Sequence, residues 1–196
     1  MNRALRIAVA DDEPDMRDYF RKILPRLGHQ VVAAAESGRQ LVEQCRQAQP
    51  DLVITDIKMP DMDGIEAAIA IYRETPVPVI LVSAHHDPEL IARAEADHIL
   101  GYLVKPIKQT DLEPVIALTI RRFEQFEALR REAADLRQAL EDRKVIERAK
   151  GVLMKRGPMD EQDAFRRLQK LASEKSRKLI DIAHTILLAE EAVQPP

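Results

Sequence analysis

One cysteine, Cys45, is all the thiol chemistry this chain has. An intrachain disulfide is excluded, and so is a metal site built from the cysteines of a single chain. The spacing of Cys45 from Leu41 puts it on the inner face of a helix, where Cys behaves as a small buried hydrophobe rather than a reactive thiol. No apolar run approaches the roughly 20 residues of a membrane span. The acidic cluster that follows a short apolar stretch near the N-terminus is unlike an export signal. The expectation is a soluble, cytoplasmic protein with no membrane partner. Internal repeats and low-complexity stretches are absent as well. Charge is plentiful and unevenly spread. Residues 1–142 carry 18 Lys and Arg against 25 Asp and Glu, a net −7, residues 143–178 carry 12 against 5, a net +7, and the remainder adds −3. An acidic stretch joined to a basic one predicts two kinds of partner, the basic part facing a polyanion.

With 196 residues and 45% hydrophobic content, the chain can build one domain of ordinary size and a smaller one. Five short apolar runs, Ile7 to Ala10, Val31 to Ala35, Leu52 to Thr55, Pro78 to Val82 and Tyr102 to Val104, read as strands. Helical segments lie between them. Pro14 starts a helix with Met16, Tyr19, Phe20, Ile23 and Leu24 on one face, Ser37 caps the next, and Pro88 opens a fourth. Strand and helix in alternation predict an α/β fold, a parallel sheet with helices on both faces.

From Gln109 the chain stays helical, with no Gly or Pro between Pro114 and Gly151. Phe126, Leu129, Ala133, Leu136 and Leu140 step along this helix by threes and fours, a seam flanked by charges. Such a seam packs either on the chain's own terminal helices or on a second copy, and its charged flanks favour self-association. Gly157 and Pro158 end the helix, Asp160 caps a second, and a third is expected from about Lys175 to Glu191. The expected organisation is a domain over 1–120, a helical linker and possible coiled coil over 121–142, and a three-helix all-α domain over 143–192.

In an open parallel sheet the functional crevice lies at the carboxyl ends of the strands, where the winding reverses. Asp11 and Asp12 follow the first strand, Asp56 the third, Ser83 ends the fourth, and Lys105 with Pro106 ends the fifth. Three carboxylates in close proximity repel, so either one is protonated or a divalent cation sits among them. Hard oxygen ligands select Mg²⁺ or a similar ion. Asp56 then serves as a nucleophile that forms an aspartyl phosphate, Asp12 and Asp11 hold the metal, and Lys105 and Ser83 take separate phosphoryl oxygens. An aspartyl-phosphate hydrolase is disfavoured, because its acid/base carboxylate two residues later is here Lys58. His85 and His86, beside the site, read as structural or solvated residues, with gating of water by His85 as the alternative.

The segments Val9-Ala10-Asp11-Asp12-Glu13, Thr55-Asp56-Ile57-Lys58-Met59-Pro60-Asp61-Met62-Asp63-Gly64, Val82-Ser83-Ala84 and Tyr102-Leu103-Val104-Lys105-Pro106 resemble the receiver domain of two-component response regulators. The resemblance implies a flavodoxin-like, doubly wound five-stranded sheet and a histidine kinase as phosphodonor to Asp56. It implies a metal shell completed by the backbone carbonyl of Lys58 and a cis bond between Lys105 and Pro106. It also implies a switch in which Ser83 moves toward the phosphate and Tyr102 swings inward. Such a receiver promotes its own phosphorylation and dephosphorylation without being an enzyme in the ordinary sense.

The C-terminal stretch offers no catalytic set and no phosphate-cradling glycine loop. Arg143, Lys144, Arg148, Lys150, Lys155, Arg156, Arg166, Arg167 and Lys170 make a phosphate-backbone footprint. Composition alone leaves RNA and DNA open, since a DNA-reading helix-turn-helix is also basic. The segment Arg143-Lys144-Val145-Ile146-Glu147-Arg148-Ala149-Lys150-Gly151-Val152-Leu153-Met154, followed by Ala164-Phe165-Arg166-Arg167-Leu168 and Lys178-Leu179-Ile180-Asp181-Ile182-Ala183, is similar to the ANTAR domain, an RNA-binding module of transcription antiterminators. The resemblance implies binding to hairpins in nascent transcripts, with a DNA-binding response regulator as the alternative. Helical spacing assigns Phe165 to the core of this module, which leaves base stacking poorly supplied. Phosphorylation-driven pairing of two chains is the expected link between the domains.

Overall fold

The computed structural model describes residues 3–84 and 99–191. Five strands, β1 (Arg6–Ala10), β2 (Gln30–Ala35), β3 (Leu52–Asp56), β4 (Val79–Ser83) and β5 (Ile99–Val104), form one sheet in the order β2-β1-β3-β4-β5. Every neighbouring pair is parallel. The order reverses between β1 and β3, so the crevice at the strand carboxyl ends lies between Asp11 and Asp56. The helices among the described residues are α1 (Pro14–Arg26), α2 (Gly38–Ala48), α3 (Gly64–Glu74), α4 (Gln109–Arg156), α5 (Glu161–Glu174) and α6 (Leu179–Glu191). The helix expected from Pro88, with His85 and His86, lies outside the described residues.

Strand side chains alternate between faces, and each face has its own core. Ile7, Val9, Leu52, Ile54, Ile80 and Val82 pack with Phe20, Ile23 and Leu24 of α1 and Leu112 and Ile116 of α4. Ala8, Ala10, Val53, Val79 and Leu81 pack on the other side with Leu41, Val42 and Cys45 of α2 and Ile65, Ala67, Ala68 and Ile71 of α3. Each strand between helical layers is apolar on both sides, which is why it reads as a continuous hydrophobic run. Cys45 is buried here, and burial pushes its thiol up to about 12.

Local signals set the helix starts. Pro14 opens α1, Ser37 Oγ accepts from Gln40 N at the start of α2, and Asp63 and Glu66 form a reciprocal capping box on α3. β5 begins at Ile99, three residues before the apolar run at Tyr102. Gly101 hides that extension in the sequence, because glycine is a poor strand residue. Packing demands it: a Cβ there would meet Thr119 Oγ1 of α4 at 2.4 Å and Ile80 Cγ1 at 2.8 Å.

The chain divides into two compact units, Met1–Glu127 and Ala128–Pro196. In the second, Val145, Ile146, Ala149 and Leu153 of α4 join Leu168 and Leu171 of α5 and Leu179, Ile182, Ala183 and Ile186 of α6 in a small core. Two details depart from expectation. The last helix starts at Leu179 rather than near Lys175, because residues 175–177 close α5 instead. There Lys175 N donates to Leu171 O, Arg177 N donates to Ala172 O, and Ser176 takes the left-handed region at φ 50°. Phe165 is not a core residue but 36% exposed. The buried stripe of α5 runs through Ala164, Leu168 and Leu171, and Phe165 stands about 100° around the helix from Ala164. Every residue of α4 from 128 to 141 is exposed, so of the two packings open to the leucine seam, the one on the chain's own terminal helices is not made.

Candidate functional site

β1 delivers Asp11 and β3 delivers Asp56 to the same rim of the sheet. Asp11 is fully buried and Asp56 is 7% exposed, while Asp12 is exposed at the mouth of the site. Asp11 Oδ1 accepts from Glu13 N at 3.0 Å, and Asp56 Oδ1 accepts from Ile57 N at 2.8 Å. Arg17 of α1 donates to the backbone carbonyls of Asp11 and Asp12 at 2.8 and 2.9 Å, which fixes the turn after β1. The start of α3 closes the opposite side. Gly64 N donates to Ile57 O, and a Cβ on Gly64 would lie 1.9 Å from Asp56 O, so only glycine lets α3 approach the acidic residue this closely.

Lys105 reaches the cage from the end of β5. Its N–H donates to Ser83 O at 2.9 Å, the Lys105-Pro106 bond is cis, and Ile107 O accepts from Tyr19 Oη at 3.0 Å. Thus α1 and β4 both anchor the segment that carries the lysine. Lys105 Nζ stands 3.0 Å from Asp11 Oδ2, 3.0 Å from Glu13 Oε1 and 3.3 Å from Asp56 Oδ2. Glu13 is the residue sequence reading left without a role. It belongs to the quoted acidic run, yet nothing in spacing foretells that its side chain bonds the lysine.

Burial raises the carboxyl of Asp11 and that of Asp56 above the ordinary range, and the nearby Lys105 charge opposes this in both without cancelling it. Burial works against the charge of Lys105, but the Asp11 and Glu13 carboxylates close against it and the field of Asp56 hold the ammonium above its usual value. Oxygens of Asp11, Asp12 and Asp56 lie within 4.8 Å of one another, and Asp11 Oδ2 is buried without an aligned hydrogen bond. A hard divalent cation fits this set, because three carboxylate oxygens and no soft donor converge on one point. Ser83 is buried at the end of β4, Tyr102 packs partly buried against the α2–α3 core, and the Lys58 side chain is exposed beyond Asp56.

The nine C-terminal cations are not equivalent. Arg143, Arg148, Lys155 and Arg167 are exposed. Lys144 pairs with Glu141 at 2.7 Å, Arg156 with Glu190, Arg166 with Asp163 at 3.8 Å and Lys170 with Glu174 at 3.8 Å, all at the surface. Acidic partners therefore come partly from outside residues 143–178, which the local charge count did not include. Lys150 differs in kind. It is 7% exposed and donates to Glu147 at 2.9 Å and Glu161 at 2.7 Å, hydrogen bonds that raise its pKa. Its charge is matched inside the unit rather than presented to a polyanion.

The family model for the response regulator receiver domain matches residues 7–117, and that for the ANTAR domain matches residues 134–187. The chain belongs to the response regulators, with a receiver domain followed by an ANTAR domain. It is 37% identical over 182 residues to the transcriptional regulatory protein PdtaR of Mycobacterium tuberculosis, a match spanning 93% of this chain and 89% of that one. The signal receiver domain of the response regulator NarL from Mycobacterium tuberculosis superposes with a TM-score of 0.57 at 29% identity, covering 61% of this chain and 98% of that domain. The response regulator domain of Thermotoga maritima CheB gives a TM-score of 0.53 at 29% identity, covering 61% and 96%. No helix among the described residues is long and apolar enough to cross a membrane.

Proposed function

We propose that this protein is a phosphorylation-controlled RNA-binding regulator acting in transcription antitermination. Asp56 accepts a phosphoryl group from a partner histidine kinase, and the C-terminal helices bind hairpins in nascent transcripts. The carrying observation is a buried Asp56 carboxylate facing Lys105 Nζ at 3.3 Å in a chain that also contains an ANTAR domain. Similarity to a protein named as a transcriptional regulator over 93% of the chain supports the reading.

In this mechanism an Asp56 oxygen attacks phosphorus while the bond from phosphorus to the kinase's histidine nitrogen breaks. Ile57 N holds Asp56 Oδ1, which orients the carboxylate. Lys105 turns its ammonium from the carboxylates to a phosphoryl oxygen, and the Ser83 hydroxyl donates to another. Asp11, Asp12, Asp56 and the Lys58 carbonyl would hold Mg²⁺, which would supply positive charge against the phosphoryl oxygens. Tyr102 reports the state by moving inward behind Ser83.

Two phosphorylated chains pair through the exposed leucines of α4, placing two basic modules side by side on one transcript. Antitermination requires the protein to meet nascent RNA in the cytoplasm. The test is competition of labelled hairpin RNA against duplex DNA at fixed salt, with and without a phosphodonor. Preferential RNA binding that changes on phosphorylation and falls steeply with salt is expected. Equal competition by duplex DNA identifies a DNA-binding regulator instead.

A further inference from the structure

Phe165 is the only Phe, Tyr or Trp of the chain beyond Glu127. Its neighbours Ala164 and Leu168 are fully buried, yet the ring is 36% exposed. Lys150 Nζ lies 5.9 Å from the ring centroid. That ammonium is fixed in place by Glu147 and Glu161, so the cation beside the ring is part of the fold rather than a free surface charge. The next residues on α5 are Arg166 and Arg167, both exposed, with Lys170 one turn further.

An exposed phenylalanine flanked by Arg166 and Arg167, of which Arg166 has only a long surface pair with Asp163 at 3.8 Å, fits a flat, π-rich group carried on an anionic chain. Unpaired nucleobases have that chemistry, and bases stacked inside a duplex are not available to a side chain in this way. A protein partner fits less well, because Phe165 is the only exposed large hydrophobic side chain on α5 and docking patches are broader. We propose that Phe165 is a stacking platform for one unpaired base of an RNA hairpin loop. Arg166, Arg167 and Lys170 take the adjoining phosphates, and Lys150 is a positioning residue that orders the ring. This inference rests on the RNA reading given above.

The chain contains no tryptophan, so Phe165→Trp in the full-length protein is a single fluorescent reporter on the platform. The probe is a pool of hairpin RNAs with a randomised loop, compared with the same stem closed by an abasic loop and with duplex DNA. Stacking predicts that the loop pool quenches the emission and that neither control does. Phe165→Ala and Phe165→Leu are each expected to weaken loop binding about tenfold or more with the salt slope unchanged, whereas Arg166→Ala lowers the slope. Phe165→Leu keeps apolar bulk without a π face, so normal melting of that variant separates stacking from folding. If the wild type binds hairpins and these Phe165 variants bind equally well, stacking is overturned and the RNA reading stands. Equal quenching by the abasic stem or by duplex DNA also overturns it. If the wild type binds no hairpin, both readings fall together.

Discussion

At the acidic rim, the strength of the site is also its cost. Asp11 and Asp56 hold protons more tightly folded than unfolded, since burial raises both. Their contribution to stability is therefore full below the ordinary aspartate value of about 4 and is lost as pH rises through the raised folded values. Without divalent metal, Asp56→Asn should be more stable than wild type at pH 7, and the gap should narrow as pH falls toward about 4. Thermal melts in chelator across that range check this. A gap that widens on acidification would mean that Lys105, not burial, governs the carboxylate. Adding Mg²⁺ should raise the wild-type midpoint and leave the variant nearly unmoved. Glu13 competes for the same lysine, but from an exposed position that water screens. Glu13→Gln should speed phosphorylation of Asp56 by acetyl phosphate, by no more than about fivefold. Mass kinetics read the rate, and a slower variant would show that Glu13 holds Lys105 in a productive pose.

Among the elements, α3 and α4 make opposite demands. The start of α3 lies so close to Asp56 that Gly64→Ala forces backbone apart, and a loss of about 2 kcal/mol or more in denaturant unfolding is expected. A change below about 0.5 kcal/mol would mean that the loop before α3 absorbs the extra carbon. On α4 the exposed Leu129, Leu136 and Leu140 contribute nothing to the fold of one chain, at 66%, 61% and 59% exposure. Leu136→Lys should therefore leave monomer stability within about 0.5 kcal/mol of wild type and abolish association of the phosphorylated protein in sedimentation. Retained pairing would move the interface elsewhere.

For the whole molecule, what the sequence discloses depends on whether a feature is local or tertiary. The parallel sheet is legible because each strand is apolar on both faces and the helices between carry start signals at Pro14 and Ser37. Asp11, Asp56 and Lys105 fall at strand ends, so strand positions alone gather them at one rim. Gly101 and the two residues of β5 before it escape notice, because only the approach of Thr119 explains the glycine. Periodicity also misplaces Phe165, since Ala164 and Phe165 are adjacent and only the packing of α5 decides which turns inward. Lys150 looks like any other cation until Glu161, eleven residues away and on another helix, is found beside it. Everything downstream depends on whether Asp56 takes a phosphoryl group. The most direct measurement is the intact mass of the full chain after incubation with acetyl phosphate and Mg²⁺, beside Asp56→Asn treated identically. The account predicts that the wild type gains the mass of one phosphoryl group and the variant gains none; an unchanged wild type, or equal gain by both proteins, would contradict it.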